Sequence, residues 1–215
     1  MMQVRNAILK YRPLRAGIRI FQGTTGKPGT IGFFGKSADG KFWLVSCYHV
    51  LVRPPGWNGA PPQDGEAIYQ PEVKPANKIA AVDPSRADEA LDCAAALLGA
   101  GIEAVPEILG LGSIGGSALP AVGMRVTKSG SATGVTEGIV RRIQGDTVRI
   151  EPLPGFPAGY ELSQQGDSGA LWMEQSTGAA VALHRKGETG QGEFAEATAI
   201  GPVLAALGLT LWNGV

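Results

Sequence analysis

Gln164-Gln165-Gly166-Asp167-Ser168-Gly169-Ala170, running on into Leu171-Trp172-Met173, is the stretch that decides the reading of this chain. Two glycines bracket an acid and a serine. Glycine admits backbone conformations closed to other residues. A turn built on it can aim successive N–H groups into one concave anion site. A serine at such a turn presents its hydroxyl beside those donors, which is the arrangement acyl transfer requires. The same four residues also suit a polar surface turn, so the remainder of the chain has to supply a base and an acid.

A serine hydroxyl is a poor nucleophile until a base takes its proton. The chain offers two histidines, His49 and His184. His49 follows the apolar run Phe42-Trp43-Leu44-Val45-Ser46-Cys47, read as a strand, and precedes Val50-Leu51. Its ring is therefore expected at the rim of a sheet beside a cleft, although a histidine among apolar neighbours also serves structural roles. For the acid we single out Asp92, which opens Leu91-Asp92-Cys93-Ala94-Ala95-Ala96-Leu97-Leu98. An acid at the head of an apolar run is costly to bury unless it is paired. Asp88 is the rival, but its neighbours are polar and predict a solvated side chain.

The wider composition suits a body made of strands. The chain has 215 residues, 44% hydrophobic and 18% charged, with 32 glycines and 15 prolines. That size allows one large domain or two lobes around real cores. Short runs of strand character recur at 17–21, 30–36, 42–47, 67–69, 78–82, 91–98, 124–128, 135–143, 147–151, 170–173, 179–185 and 193–199, separated by turn residues. Asp39-Gly40 marks a hairpin. Residues 53–65 read as a surface loop, and residues 1–15 as a short helix or basic lead-in. Pro202 and Gly208 bracket a terminal helix. Many short strands close most naturally as antiparallel barrels. Gly110-Leu111-Gly112-Ser113-Ile114-Gly115 formally matches a dinucleotide-binding fingerprint. With no clear strand before it, no helix after it, and Pro120 just beyond, it reads as linker instead.

These motifs carry a resemblance. Gly166-Asp167-Ser168-Gly169 resembles the nucleophile loop of chymotrypsin-like (trypsin-like) serine peptidases, and Ser46-Cys47-Tyr48-His49-Val50-Leu51 resembles their histidine motif. Tyr48 departs from the small residue usual before that histidine. The run from Asp92 to Leu98 resembles their aspartate strand. The chain order His49, Asp92, Ser168 matches theirs and differs from the subtilisin and α/β-hydrolase orders. The resemblance implies an all-β fold of two packed antiparallel six-stranded β-barrels with a C-terminal helix, the whole of 1–215 forming one unit. It places the N-terminal barrel at 16–110, a linker at 111–120, the C-terminal barrel at 121–199 and the helix at 200–209. It implies His49 as base, Asp92 as its orienting acid and Ser168 as nucleophile. The backbone N–H groups of Gly166 and Ser168 would form the oxyanion hole. Asp167 would turn away from the cleft and hold the loop, formed without N-terminal cleavage.

The same resemblance frames a substrate pocket from Leu162, Ser163, Gln165, His184 and Gly187. Leu162 stands where trypsins carry an aspartate, which argues against Arg or Lys before the scissile bond (the P1 position). His184, shortly before Gly187, looks like the pocket histidine of glutamyl endopeptidases and of viral cysteine peptidases of this fold. P1 Glu or Gln is the expectation, set against a small or apolar P1 and against His184 as a core histidine. Arg185 and Lys186 are expected to face outward.

Other functions find little support. Lys+Arg and Asp+Glu balance at 19 each, so nothing favours nucleic acid or an anionic membrane as partner. No apolar stretch reaches membrane-spanning length. Two cysteines, Cys47 and Cys93, make no disulfide framework and are expected as buried free thiols. No clustered Cys/His spacing points to a metal, and no cofactor is expected. The start Met-Met-Gln-Val-Arg-Asn lacks signal-peptide character, so the chain reads as cytoplasmic unless a signal has been trimmed. The expected partner is a protein or peptide substrate; the oligomeric state stays open. The alternative to a serine endopeptidase is a catalytically silent or latent module that binds a peptide or protein through the same cleft.

Overall fold

The computed structural model describes residues 7–157, 159–187 and 193–214. The first six residues of the expected basic lead-in, Arg5 among them, lie outside the described residues. The second half is a closed six-stranded barrel. Its strands are β11 (Arg125–Gly130), β12 (Gly134–Gln144), β13 (Thr147–Pro152), β14 (Leu171–Glu174), β15 (Ala180–Gly187) and β16 (Ala195–Ala199). They close in the order β11-β12-β13-β16-β15-β14, every pairing antiparallel. Val126, Val140, Val148, Ile150, Trp172, Val181 and Ala197 fill it, the period-two alternation of each strand sending one face inward.

The first half is an eight-stranded sheet in the order β17-β4-β5-β8-β7-β6-β2-β3. The strands are β2 (Arg19–Gln22), β3 (Pro28–Thr30), β4 (Phe33–Lys36), β5 (Phe42–Ser46), β6 (Ala67–Tyr69), β7 (Lys78–Asp88), β8 (Cys93–Leu98) and β17 (Thr210–Leu211). The all-β two-lobed architecture thus stands. The first lobe, however, has eight strands without hydrogen-bonded closure among the described residues, where six in a closed barrel were expected. Two of the eight have identifiable causes. The run 30–36 splits at Gly32, whose N–H bonds the Val45 carbonyl at 2.9 Å, and β17 returns from the far end of the chain to pair with Lys36 and Gly35.

Residues to which no strand was assigned from sequence also carry strands. β1 (Leu14–Ala16) pairs in parallel with β9 (Ala104–Ile108), which pairs in turn with β10 (Gly112–Ser113). The fingerprint-like 110–115 segment therefore does have a strand before it. No helix follows it, because residues 114–124 run on as loop, turn and one isolated bridge. Helix α1 (Tyr48–Leu51) is one turn long, and α2 (Ile200–Leu207) ends at Gly208, left-handed with φ 61. No described helix is long and apolar enough to cross a membrane.

Two registers position the site. β5 pairs antiparallel with β8, Ser46 opposite Ala94, so the segments leaving their adjacent ends bring His49 and Asp92 together. The tight turn at 166–169 is gripped from both lobes: Thr30 N–H bonds the Ser168 carbonyl at 2.9 Å, and Gly169 N–H bonds the His184 carbonyl at 2.8 Å.

Candidate active site

His49 sits on α1 and not at a strand end, the one-turn helix swinging its ring over the end of β8. Its ring Nδ1 lies 2.8 Å and 3.0 Å from the two carboxylate oxygens of Asp92, and its backbone N–H donates to Asp92 Oδ1 at 3.0 Å. One acid thus fixes both ring and main chain. Asp92 has φ 51, and among the described residues it is the sole non-glycine at positive φ. Such strain persists only where the surroundings over-determine the conformation. The rival Asp88 caps the preceding turn, accepting the Leu91 N–H at 2.9 Å.

Ser168 lines the same cleft of about 600 Å³ as His49 and Asp92. Its Oγ donates to the Arg185 carbonyl at 3.2 Å and makes no hydrogen bond to His49 among the described residues. Both flanking glycines are at positive φ, 111 for Gly166 and 92 for Gly169, and a Cβ on Gly169 would strike Ser46 Oγ. The Gly166 carbonyl is drawn away from the cleft by two hydroxyls, Thr30 Oγ1 at 2.7 Å and Ser131 Oγ at 2.9 Å. The N–H groups of Gly166 and Ser168 have no acceptor among the described residues. Two donors left open beside a serine hydroxyl make an anion site.

Beneath the turn, Asp167 is wholly buried and turned from the cleft. It accepts from Lys128 Nζ at 2.9 Å, Thr133 Oγ1 at 2.6 Å, and the N–H groups of Ala132, Thr133 and Gln164 at 2.8, 3.1 and 3.1 Å. Burial alone would raise its carboxyl, but the Lys128 ammonium and Thr133 outweigh it and hold it at about 2. Lys128 is as fully buried, its ammonium 5.5 Å from the Trp172 ring centroid. Neither Lys128 nor Thr133 was among the residues singled out from sequence. The available signal was period two: Val126 faces the barrel interior, so Lys128 must share its face.

The expected pocket residues part company. Ser163, Gln165, His184 and Gly187 line the cleft. Leu162 is buried in the barrel core and is not among the lining residues. Ser163 Oγ is buried with no hydrogen-bond partner and lies close against Gly187. His184 is 1% exposed, and burial together with the Lys128 ammonium keeps its imidazole neutral, with a pKa of about 3. Trp172 Nε1–H points at His184 Nδ1 from 3.4 Å, which leaves the proton on Nε2. Glu193, read from sequence only as the start of a strand that in fact begins at Ala195, reaches behind this wall and accepts the Leu162 and Ser163 N–H groups; burial raises its carboxyl.

Arg185 corrects the expectation of an outward surface residue. It lines the cleft, with Nε buried, unpartnered and 3.9 Å from Asp92 Oδ2. Lys186 is exposed as expected and pairs with Glu196 at 3.2 Å. Cys47 and Cys93 are both free and buried. Sγ of Cys47 lies within 4.8 Å of ligand atoms of His49 and Asp92, a set able to hold a metal ion in principle. Burial, however, holds that thiol well above its ordinary range, and it donates to the His184 carbonyl at 3.0 Å. Thiolate ligation there would mean opposing both.

No family model matches the chain, and no curated protein matches it. Solved structures do. Thermobifida fusca Protease A is 18% identical with a TM-score of 0.64, covering 94% of this chain and 100% of its own. Alpha-lytic protease homolog N4 is 22% identical with a TM-score of 0.64, at 93% and 99%. A glutamic acid-specific serine protease, described as using a histidine triad in substrate binding, is 19% identical with a TM-score of 0.66, at 93% and 100%. The chain therefore has the chymotrypsin-like fold of these bacterial serine proteases.

Proposed function

We propose that the chain is a serine endopeptidase that hydrolyses peptide bonds through an acyl-enzyme. Ser168 attacks the carbonyl, His49 takes its proton and later delivers it to the leaving amine, and Asp92 orients the ring and stabilises its charged form. The N–H groups of Gly166 and Ser168 receive the oxyanion. The observation that carries this reading is the doubly held His49–Asp92 pair, facing in one cleft a serine whose turn leaves two N–H groups open. The likeness of fold to serine proteases supports it. The Lys128–Asp167 pair supports a nucleophile loop formed without N-terminal cleavage.

For P1 we propose Gln or Glu, with Gln the better fit. His184 Nε2–H and the unpartnered Ser163 hydroxyl are neutral groups able to pair with a side-chain amide or carboxylate. Glu193 behind them disfavours a second buried negative charge. A specific second reading, a latent module, is favoured by one observation: Ser168 Oγ bonds Arg185 and not His49. Catalytic hydrogen bonds often tighten only on substrate binding. Digestion of a proteome-derived peptide library tests both. Cuts by wild type after Gln and Glu, lost in Ser168→Ala, support the proposal. Cuts after Leu or Ala alone would remove the P1 reading, and no cuts would favour the latent module.

A further inference from the structure

Among the described residues, an extended peptide lying in the cleft meets the unpaired edge at the end of β15. β15 is hydrogen-bonded to β14 through Leu183, and the Gly169 N–H takes the His184 carbonyl. Beyond that point, among the described residues, Lys186 and Gly187 pair only on their other side, with β16, and Arg185 is the bulged residue between His184 and Lys186. The free side faces the cleft, where the Arg185 carbonyl already accepts Ser168 Oγ. A substrate strand added along this edge alternates its side chains between two directions. If one side chain enters toward Ser163 and His184, the residue before it points the opposite way, toward the wall of His49, Asp92 and Arg185.

That wall carries an unspent cation. Of the cleft's charged groups, Arg53 forks onto Glu66 at 2.5 Å, Lys186 pairs with Glu196 at 3.2 Å, and Asp92 is taken up by His49. Arg185 has no acceptor within hydrogen-bond distance among the described residues. Its nearest carboxylate, Asp92, is 3.9 Å from Nε and already receives two N–H groups. Its side chain is 26% exposed, so the fork is part-desolvated and still reachable. Glu89 lines the same cleft but makes no ion pair with it among the described residues.

We propose that Arg185 is a specificity-determining residue that binds an Asp or Glu side chain at the substrate position immediately N-terminal to P1. The guanidinium fork suits a carboxylate, and partial burial beside His49 gives the pair more weight than an exposed contact would have. This rests on the peptidase reading above, and its test is a ratio that general loss of activity leaves unmoved.

The best-cleaved library peptide is remade with Asp, Asn, Ala or Lys before P1, and kcat/KM is compared. Asp is expected to exceed its isostere Asn by about tenfold in wild type, the ratio falling to about one in Arg185→Gln and partly recovering in Arg185→Lys. Glu89→Gln is expected to widen it. Binding of the same peptides to Ser168→Ala gives the same order without turnover. Equal treatment of Asp and Asn by wild type overturns the proposal. So does an Arg185→Gln enzyme slowed alike on all four peptides with its Asp/Asn ratio intact, which would leave Arg185 a brace for Asp92. If wild type cleaves nothing and Ser168 takes no fluorophosphonate label, the peptidase reading itself has failed.

Discussion

Asp92 and Asp167 each hold a nitrogen partner, and the two pairs could hardly be placed more differently. Asp167 and Lys128 are 0% exposed on both sides, with every Asp167 oxygen satisfied from within the second barrel. Asp92 and His49 are 14% and 24% exposed, at the open mouth between lobes, on a strained residue and a one-turn helix. The first pair is sealed and fixes a backbone turn. The second is half-wet and leaves one imidazole nitrogen facing a cleft. The proposed roles fit those places: a carboxylate that holds a loop is best kept dry and saturated, and one that stabilises a transient cation has to sit where a substrate can arrive.

Mutations can break that contrast, and the largest effects belong to the open pair and its serine. Ser168→Ala is expected to lower kcat by about a million-fold. Asp92→Asn, which preserves shape and reverses the tautomer preference, is expected to lower it by about ten-thousand-fold with little change in melting temperature. Steady-state cleavage of one library-derived peptide checks both. Lys128→Met does the reverse: it leaves a buried carboxylate unpaired and is expected to destabilise the fold by about 3–5 kcal/mol, read by urea unfolding. Surviving folded protein should also lose Ser168 reactivity, because the turn above Asp167 loosens.

The smallest expected effect is a slope in pH. His184 has a folded pKa of about 3, below its ordinary 6.5. The unfolded chain takes up a proton below about pH 6.5 that the folded one refuses, so stability falls as pH drops below that value toward 3. Asp167, at about 2 against an ordinary 3.8, adds stability above pH 3.8 that is lost as pH drops toward 2. Urea midpoints at pH 7.5, 6 and 5 should therefore decline in wild type and flatten in His184→Gln. An unchanged slope in the variant would mean that some other group carries it.

Much of this was legible because it is local. Gly166-Asp167-Ser168-Gly169 encodes a turn that glycine alone permits, and the strands of the second barrel alternate plainly. What the sequence left hidden depends on register or on distant contacts. The eighth strand of the first sheet is Thr210–Leu211, paired with Lys36 from 174 residues away. Strand β1 lies at the end of the basic lead-in and β9 contains Pro106 and Glu107, and each is held by the other. Lys128 looked like any strand lysine until the barrel closed around it. Arg185 was assigned outward by simple alternation, but the β15–β16 register shifts between His184 and Lys186 and turns it toward Asp92.

Intact-mass analysis after exposure to a fluorophosphonate at neutral pH tests the central claim most directly. A single adduct on wild type, absent from Ser168→Ala and much slower to form in His49→Ala, is the predicted result. A wild-type protein that takes no adduct, or an adduct that persists in Ser168→Ala, would contradict the assignment of Ser168 as a nucleophile activated by His49.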